Sequence, residues 1–179
     1  MAFKLTYSTM FDPPPALHER FEAALAGVKA ALGAEHRMHV GGADRGGAQW
    51  FEVRSPIDRE WLVGRFPLGT AGDADDAVRA AKAAQPGWAR TPWTERVRLL
   101  RRVAALIEER VYEIGAAVAI EVGKNRMESL GEVQETADLI AWYCDRMEEA
   151  DGFDRVLPND PLPGWSSRNR SILKPYGVW

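Results

Sequence analysis

The sequence predicts an α/β chain built mainly of long helices, with a small antiparallel strand region and a further strand at its C-terminal end. Three observations predict it. Apolar residues recur at helical spacing through three long windows, near 16–32, 97–114 and 130–147. Between the first two lies a Gly-rich stretch with short β-like runs, 38–66. Residues 165–179 lose the helical period and end on an apolar β-like run, Val178 and Trp179.

After Pro13, Pro14 and Pro15, the residues Leu17, Phe21, Ala24, Leu25, Val28 and Leu32 predict an amphipathic helix over 16–32, with Gly33 as its left-handed cap. The run Gly41–Gly47 reads as turn material joining two strands, Met38–Val40 and Gln49–Val53, and Leu62–Phe66 follows beyond Pro56. Asp73 reads as the N-cap of a helix over 74–85, with Asp76 in the acidic first turn that the helix dipole favours; Pro86 and Gly87 are its stop. Thr91 then caps the next helix, with Pro92 in its first position. One stripe, Val97, Leu100, Ala104, Ile107, Val111 and Ile114, predicts a long, half-buried helix there. Glu121–Lys124 interrupts, and Leu130, Val133, Ala137, Ile140, Cys144 and Met147 predict a helix over 127–149. Pro158–Gly164 is a loop, and extended chain follows it. Domains usually finish on polar residues or a docked element. An ending on an apolar strand therefore predicts a fold that continues past Trp179.

Composition narrows the function classes. Apolar residues make up 46% of the 179 and charged residues 27%, which excludes the disordered and membrane classes. A net charge of −3 and a pI near 5.7 provide no basic field, so neither nucleic acid nor a membrane is expected as a partner. A single cysteine, Cys144, excludes an intrachain disulfide framework and a cysteine-based zinc cluster, and suits a reducing compartment. The opening residues lack the apolar core of a signal peptide. The expectation is a cytoplasmic protein.

No catalytic constellation emerges from the residues. Cys144 shares a stripe with Val133, Ala137, Ile140 and Met147, where a thiol packs as a small hydrophobe. His18, His36 and His39 lack metal-ligand spacing, and no metal site is expected. Arg96, Arg98, Arg101, Arg102 and Arg110 alternate with Glu95, Glu108 and Glu109, the pattern of a solvated face laced by i, i+3 and i, i+4 pairs. No Gly-rich phosphate loop opens a helix. Glu135 stands nearly opposite the main stripe of its helix, with Gly131, Leu139 and Trp142 around it. Two readings fit that position: an exposed helix glutamate, or a carboxylate at a partly apolar boundary that orients a ligand amine or a backbone N–H.

Seven stretches, taken in order, resemble the N-terminal half of the aldehyde dehydrogenase superfamily. They are Met38–Gly42, Ser55–Glu60, Asp75–Trp88, Glu95–Arg110, Glu121–Asn125, Glu128–Asp138 and Lys174–Val178. The resemblance begins at about residue 36, and the N-terminal helix is similar to an extension found in some branches. GluValGlyLysAsn, the GluSerLeuGlyGluValGlnGluThr that follows and the extension are most similar to the branch that oxidises L-glutamate γ-semialdehyde, the open form of 1-pyrroline-5-carboxylate, in proline catabolism. In that branch the resemblance implies a substrate-binding glutamate on the helix after the GlyLys motif, which matches Glu135.

The resemblance implies an incomplete Rossmann-like domain: a helical extension over 1–35, the N-terminal part of the cofactor-binding domain over 36–164, and a truncated oligomerisation strand region over 165–179. The chemistry it implies is attack of a cysteine thiolate on the aldehyde, hydride transfer to NAD or NADP, and water activation by a glutamate, with an asparagine side chain and a backbone N–H on the oxyanion. Those residues match nothing in this chain. The chain is accordingly expected to be inactive and to bind no cofactor alone, while the complete enzyme is a homo-oligomer acting on a small-molecule aldehyde. Residues 166–178 are similar to a strand pair that extends the sheet of another subunit, and the isolated chain is expected to be aggregation-prone or poorly folded because its helix stripes lack the sheet they evolved to cover. The other reading is a non-catalytic helical interaction module derived from the same fold.

Overall fold

The computed structural model describes Leu5 and residues 11–179. Helix α1 spans Pro15–Ala30, with proline in its first turn, where a missing N–H costs nothing. Its Leu17 and Phe21 are buried. They meet α4 (Val111–Val122), the most apolar of the described helices, whose Ala116, Ala119 and Ile120 are closed from solvent. On the other side of α4 lies α5 (Arg126–Glu149), and α3 (Trp93–Glu109) packs along α5 in turn. Gly115 of α4 allows the close approach of α5: a Cβ there would stand 2.8 Å from Leu130 Cδ2. Leu130, Val133, Ala137 and Cys144 make the buried face of α5. Each large side chain so buried stabilises the fold by roughly 1.5–3 kcal/mol relative to exposure.

Polar contacts hold the helices in register. The Arg126 guanidinium, at the head of α5, donates to Nδ1 of His18 at 2.7 Å, pairs with Glu22 and lies 4.6 Å above the Phe21 ring, which ties α1 to α5. Arg101 of α3 reaches Asp145 at 2.7 Å and Glu148 at 2.6 Å on α5.

Beside the helices, β1 (Ala34–Glu35), β5 (Leu62–Pro67) and β4 (Trp50–Arg54) form a small sheet in that order, β1 parallel and β4 antiparallel to β5. Strands β2 (Met38–Val40) and β3 (Ala43–Arg45) form a separate hairpin. From β5 the chain enters α2 (Ala71–Arg90). After α5, one 3-10 turn leads to β6 (Asp154–Val156), paired antiparallel with β7 (Arg170–Ile172).

Several boundaries differ from the sequence expectation. Ala43–Arg45, expected as turn, is a strand, because Gly41 and Gly42 alone complete the reversal. Gly33 has the expected positive φ but stands beyond Ala31, the residue that caps α1. The N-cap of α2 is Thr70, with Asp73 three residues inside a reciprocal capping box; hydrogen bonds from the Thr70 N–H and hydroxyl hold the Asp73 carboxyl below its usual range. Pro86 lies inside α2 rather than ending it, at the loss of one backbone donor. Thr91 closes α2 by donating its hydroxyl to the Gly87 carbonyl, and Pro92 is the N-cap of α3. The expected single stripe over 97–114 is broken at Arg110, where α3 turns away along α5 and α4 enters the space between α1 and α5. Along α3, Val97 and Ala104 are buried while Leu99, Leu100, Val103 and Leu106 stay exposed. The terminal strand pair is not contained in 166–178: β7 takes its partner from before the Pro-rich loop, with Arg170 Nε 3.0 Å from Asp154.

Candidate functional site

The site is built on the turn from α4 into α5. Ser55, fully buried, donates its hydroxyl to the Ile120 carbonyl at 2.6 Å and accepts the N–H of Ile57 at 3.2 Å, which fastens the β4–β5 connection under the last turn of α4. Gly123 ends α4 at φ 76°, and a Cβ there would meet Pro56 Cγ at 2.9 Å. Conformation and contact together require glycine. Asn125 then caps α5, its side chain accepting the Glu128 N–H at 3.0 Å and its carbonyl the Ser129 hydroxyl at 2.8 Å.

With its start fixed in this way, α5 presents Glu128, Glu132, Glu135 and Leu139 at steps of three and four, on the face away from its buried stripe. This face borders an open cleft of about 840 Å³. Four carboxylates, Glu128, Glu132, Glu135 and Asp138, line it against a single ammonium group, that of Lys124, among the described residues. Lys124 pairs with Glu132. Behind the carboxylates, the Gln134 amide donates to Asp138 at 3.1 Å and to Glu108 of α3 at 3.2 Å. Leu139 and Trp142 supply an apolar wall, and Leu5 borders the same cleft. The Trp142 ring is fixed edge-on to Tyr143 at 5.1 Å and lies under the Arg146 guanidinium at 5.3 Å.

Glu135, the residue singled out from sequence, thus stands on the cleft wall with Gly131, Leu139 and Trp142. Lys124 and the acidic neighbours Glu128, Glu132 and Asp138 were not singled out, although the three- and four-residue steps from Glu128 to Asp138 carried the signal. What the described lining offers is recognition by charge and by an apolar wall.

Cys144 is 1% exposed on the opposite side of α5, its thiol directed at the Val97 carbonyl at 3.9 Å, and burial raises its pKa, the opposite of what a nucleophile needs. His18 meets Arg126, His39 meets Asp44 at 2.9 Å, and His36 stacks on Phe66. Among the described residues no group of three or more histidine, cysteine or carboxylate side chains could hold a metal ion. No described helix is long and apolar enough to cross a membrane.

The described residues also do not fit a dinucleotide. Only at β5–α2 does a strand lead through glycine into a helix, and there the Thr70 hydroxyl and the Asp73 carboxylate already occupy the helix start, where a phosphate would sit.

The sequence profile of the aldehyde dehydrogenase family matches residues 43–179. The 1-pyrroline-5-carboxylate dehydrogenase of Staphylococcus epidermidis is 32% identical over 160 residues, 89% of this chain and 30% of that protein. The lactaldehyde dehydrogenase of Escherichia coli is 37% identical over 121 residues, 66% of this chain and 25% of that protein. Among solved structures, 1-pyrroline-5-carboxylate dehydrogenase from Thermus with bound NAD superposes with a TM-score of 0.78 at 25% identity, over 92% of this chain and 31% of that one. The chain spans about 30% of the length of the 1-pyrroline-5-carboxylate dehydrogenases it matches.

Proposed function

The chain belongs to the aldehyde dehydrogenase family, and we propose that it is the N-terminal part of an enzyme that oxidises L-glutamate γ-semialdehyde to the carboxylate, with NAD or NADP as oxidant. The observation that carries the substrate is the cleft face of α5. Glu135 and its neighbouring carboxylates suit an ammonium group, and Leu139 and Trp142 suit the carbon chain that links it to the aldehyde. Of the aldehydes named by the relatives described above, that of the 1-pyrroline-5-carboxylate dehydrogenases alone carries an ammonium group in its open form, whereas lactaldehyde carries none.

In this reading the chain supplies recognition. Glu135 orients the substrate ammonium, and the oxidant accepts the hydride at a site built from residues other than those described. The chain alone is inactive and binds no cofactor. Its division follows the one expected above: a helical extension over 1–35, part of the cofactor domain over 36–164, and an oligomerisation region over 165–179. Exposure of Leu99, Leu100, Val103 and Leu106 on α3 supports a fold in which that face covers further structure. The complete enzyme in this reading is a cytoplasmic homo-oligomer.

The test is steady-state kinetics of the full-length enzyme with glutamate γ-semialdehyde, succinate semialdehyde and propanal. A clear preference for the first is expected, and equal efficiency on all three defeats the substrate assignment. Glu135→Ala should raise KM for glutamate γ-semialdehyde by about tenfold or more, as expected for loss of a hydrogen bond to a charged group. An unchanged KM removes Glu135 from recognition.

A further inference from the structure

We propose that Lys124 recognises the carboxylate of carboxylate-bearing aldehydes in this cleft, on the same wall as the ammonium-binding Glu135. This rests on the cleft being the aldehyde site. Among the described lining residues four carboxylates face one ammonium, and they would repel an acidic substrate unless that ammonium group takes up the incoming charge. Lys124 is built for such a duty. Its backbone follows Gly123, locked against Pro56, and precedes the cap Asn125, so the side chain starts from a fixed point and reaches out on a flexible four-carbon stem.

Its partner in the structure, Glu132, is exposed and lies one turn from Glu135, about 4.5 Å along the helix axis. A head group that carries ammonium and carboxylate on one carbon can therefore place its ammonium at Glu135 and its carboxylate at Lys124. Lys124 then exchanges one carboxylate partner for another, and Glu132 returns to water. The pair given up is a partly exposed one, of the kind that contributes little. The bond gained is a charge-assisted one between the Lys124 ammonium and a substrate carboxylate, which the ligand's own attachment at Glu135 holds in place. The Lys124–Glu132 pair thus holds the ammonium group in place until a substrate carboxylate replaces Glu132.

The experiment measures kcat/KM of the full-length enzyme and its Lys124→Met and Lys124→Arg variants on three aldehydes: glutamate γ-semialdehyde, succinate semialdehyde, which has a carboxylate but no ammonium, and propanal, which has neither. Lys124→Met should lower the ratio of succinate semialdehyde to propanal by about tenfold or more, by the usual size of a hydrogen bond to a charged group, and Lys124→Arg should restore most of it. A ratio unmoved by Lys124→Met, or one lowered equally by Lys124→Arg, overturns the assignment. Succinate semialdehyde separates this proposal from the amino-aldehyde reading. Rejection of glutamate γ-semialdehyde together with a Lys124-dependent preference for succinate semialdehyde would sink the substrate assignment and leave Lys124 in its role.

Discussion

The two faces of α5 are built from the same periodicity and do opposite things. One, Leu130, Val133, Ala137 and Cys144, is shut against α3 and α4, with exposures of 4% or less. The other, Glu128, Glu132, Glu135 and Trp142, is open to the cleft. The difference teaches how an open carboxylate face is made rigid: the buried face sets the helix's position and rotation, and the carboxylates inherit that precision without packing of their own.

The comparison breaks hardest at Leu130→Ala. This change empties the slot beside Gly115 and should cost about 2–5 kcal/mol, seen as a lower thermal midpoint of the full-length enzyme. A shift no larger than that of a surface substitution would mean that α5 is held by something other than this face. Ser55→Ala, at the fastening under the α4–α5 turn, should come next at about 1–3 kcal/mol, because it strips a buried carbonyl and a turn N–H of their partner. It should also raise KM for glutamate γ-semialdehyde, since the turn carries Lys124 into the cleft. A stability loss without a KM change would separate the fastening from the site. Smallest is Glu132→Gln on the open face, expected within about 0.5 kcal/mol of the parent in the same melt. A larger loss would show that the cleft side carries packing energy after all.

What could be read beforehand follows from how local the causes are. Helices α1 and α5 were readable because period and punctuation agree within a few residues: proline before Leu17, the Glu121–Lys124 interruption before α5, one apolar stripe in each. Glu135 was visible as a carboxylate among Gly131, Leu139 and Trp142. Lys124 was not, because its proposed role lies in being the single cation among four carboxylates of the described cleft lining, a relation that exists only once the turn has brought it back over α5. The arginines of α3 show the same limit. Arg98 pairs with Glu95 as expected of an exposed face, while Arg101 crosses to Asp145 and Glu148 on another helix.

By itself the sequence determined that the chain is helical with a minor strand region, that a turn separates Val122 from Arg126, that Cys144 packs as an apolar group, and that Glu135 sits on a second, mixed face. Those outcomes depend on φ preferences, capping and three- and four-residue spacing, all of which act over a single turn. Only the tertiary structure decided that the stripe over 97–114 divides at Arg110, that α2 runs through Pro86, that β7 pairs back across the loop to β6, and that the acidic face of α5 borders a cleft. Burial and sheet pairing are relations between distant segments. A stripe of apolar side chains states that some partner is needed, and its position in space is settled by which partner arrives.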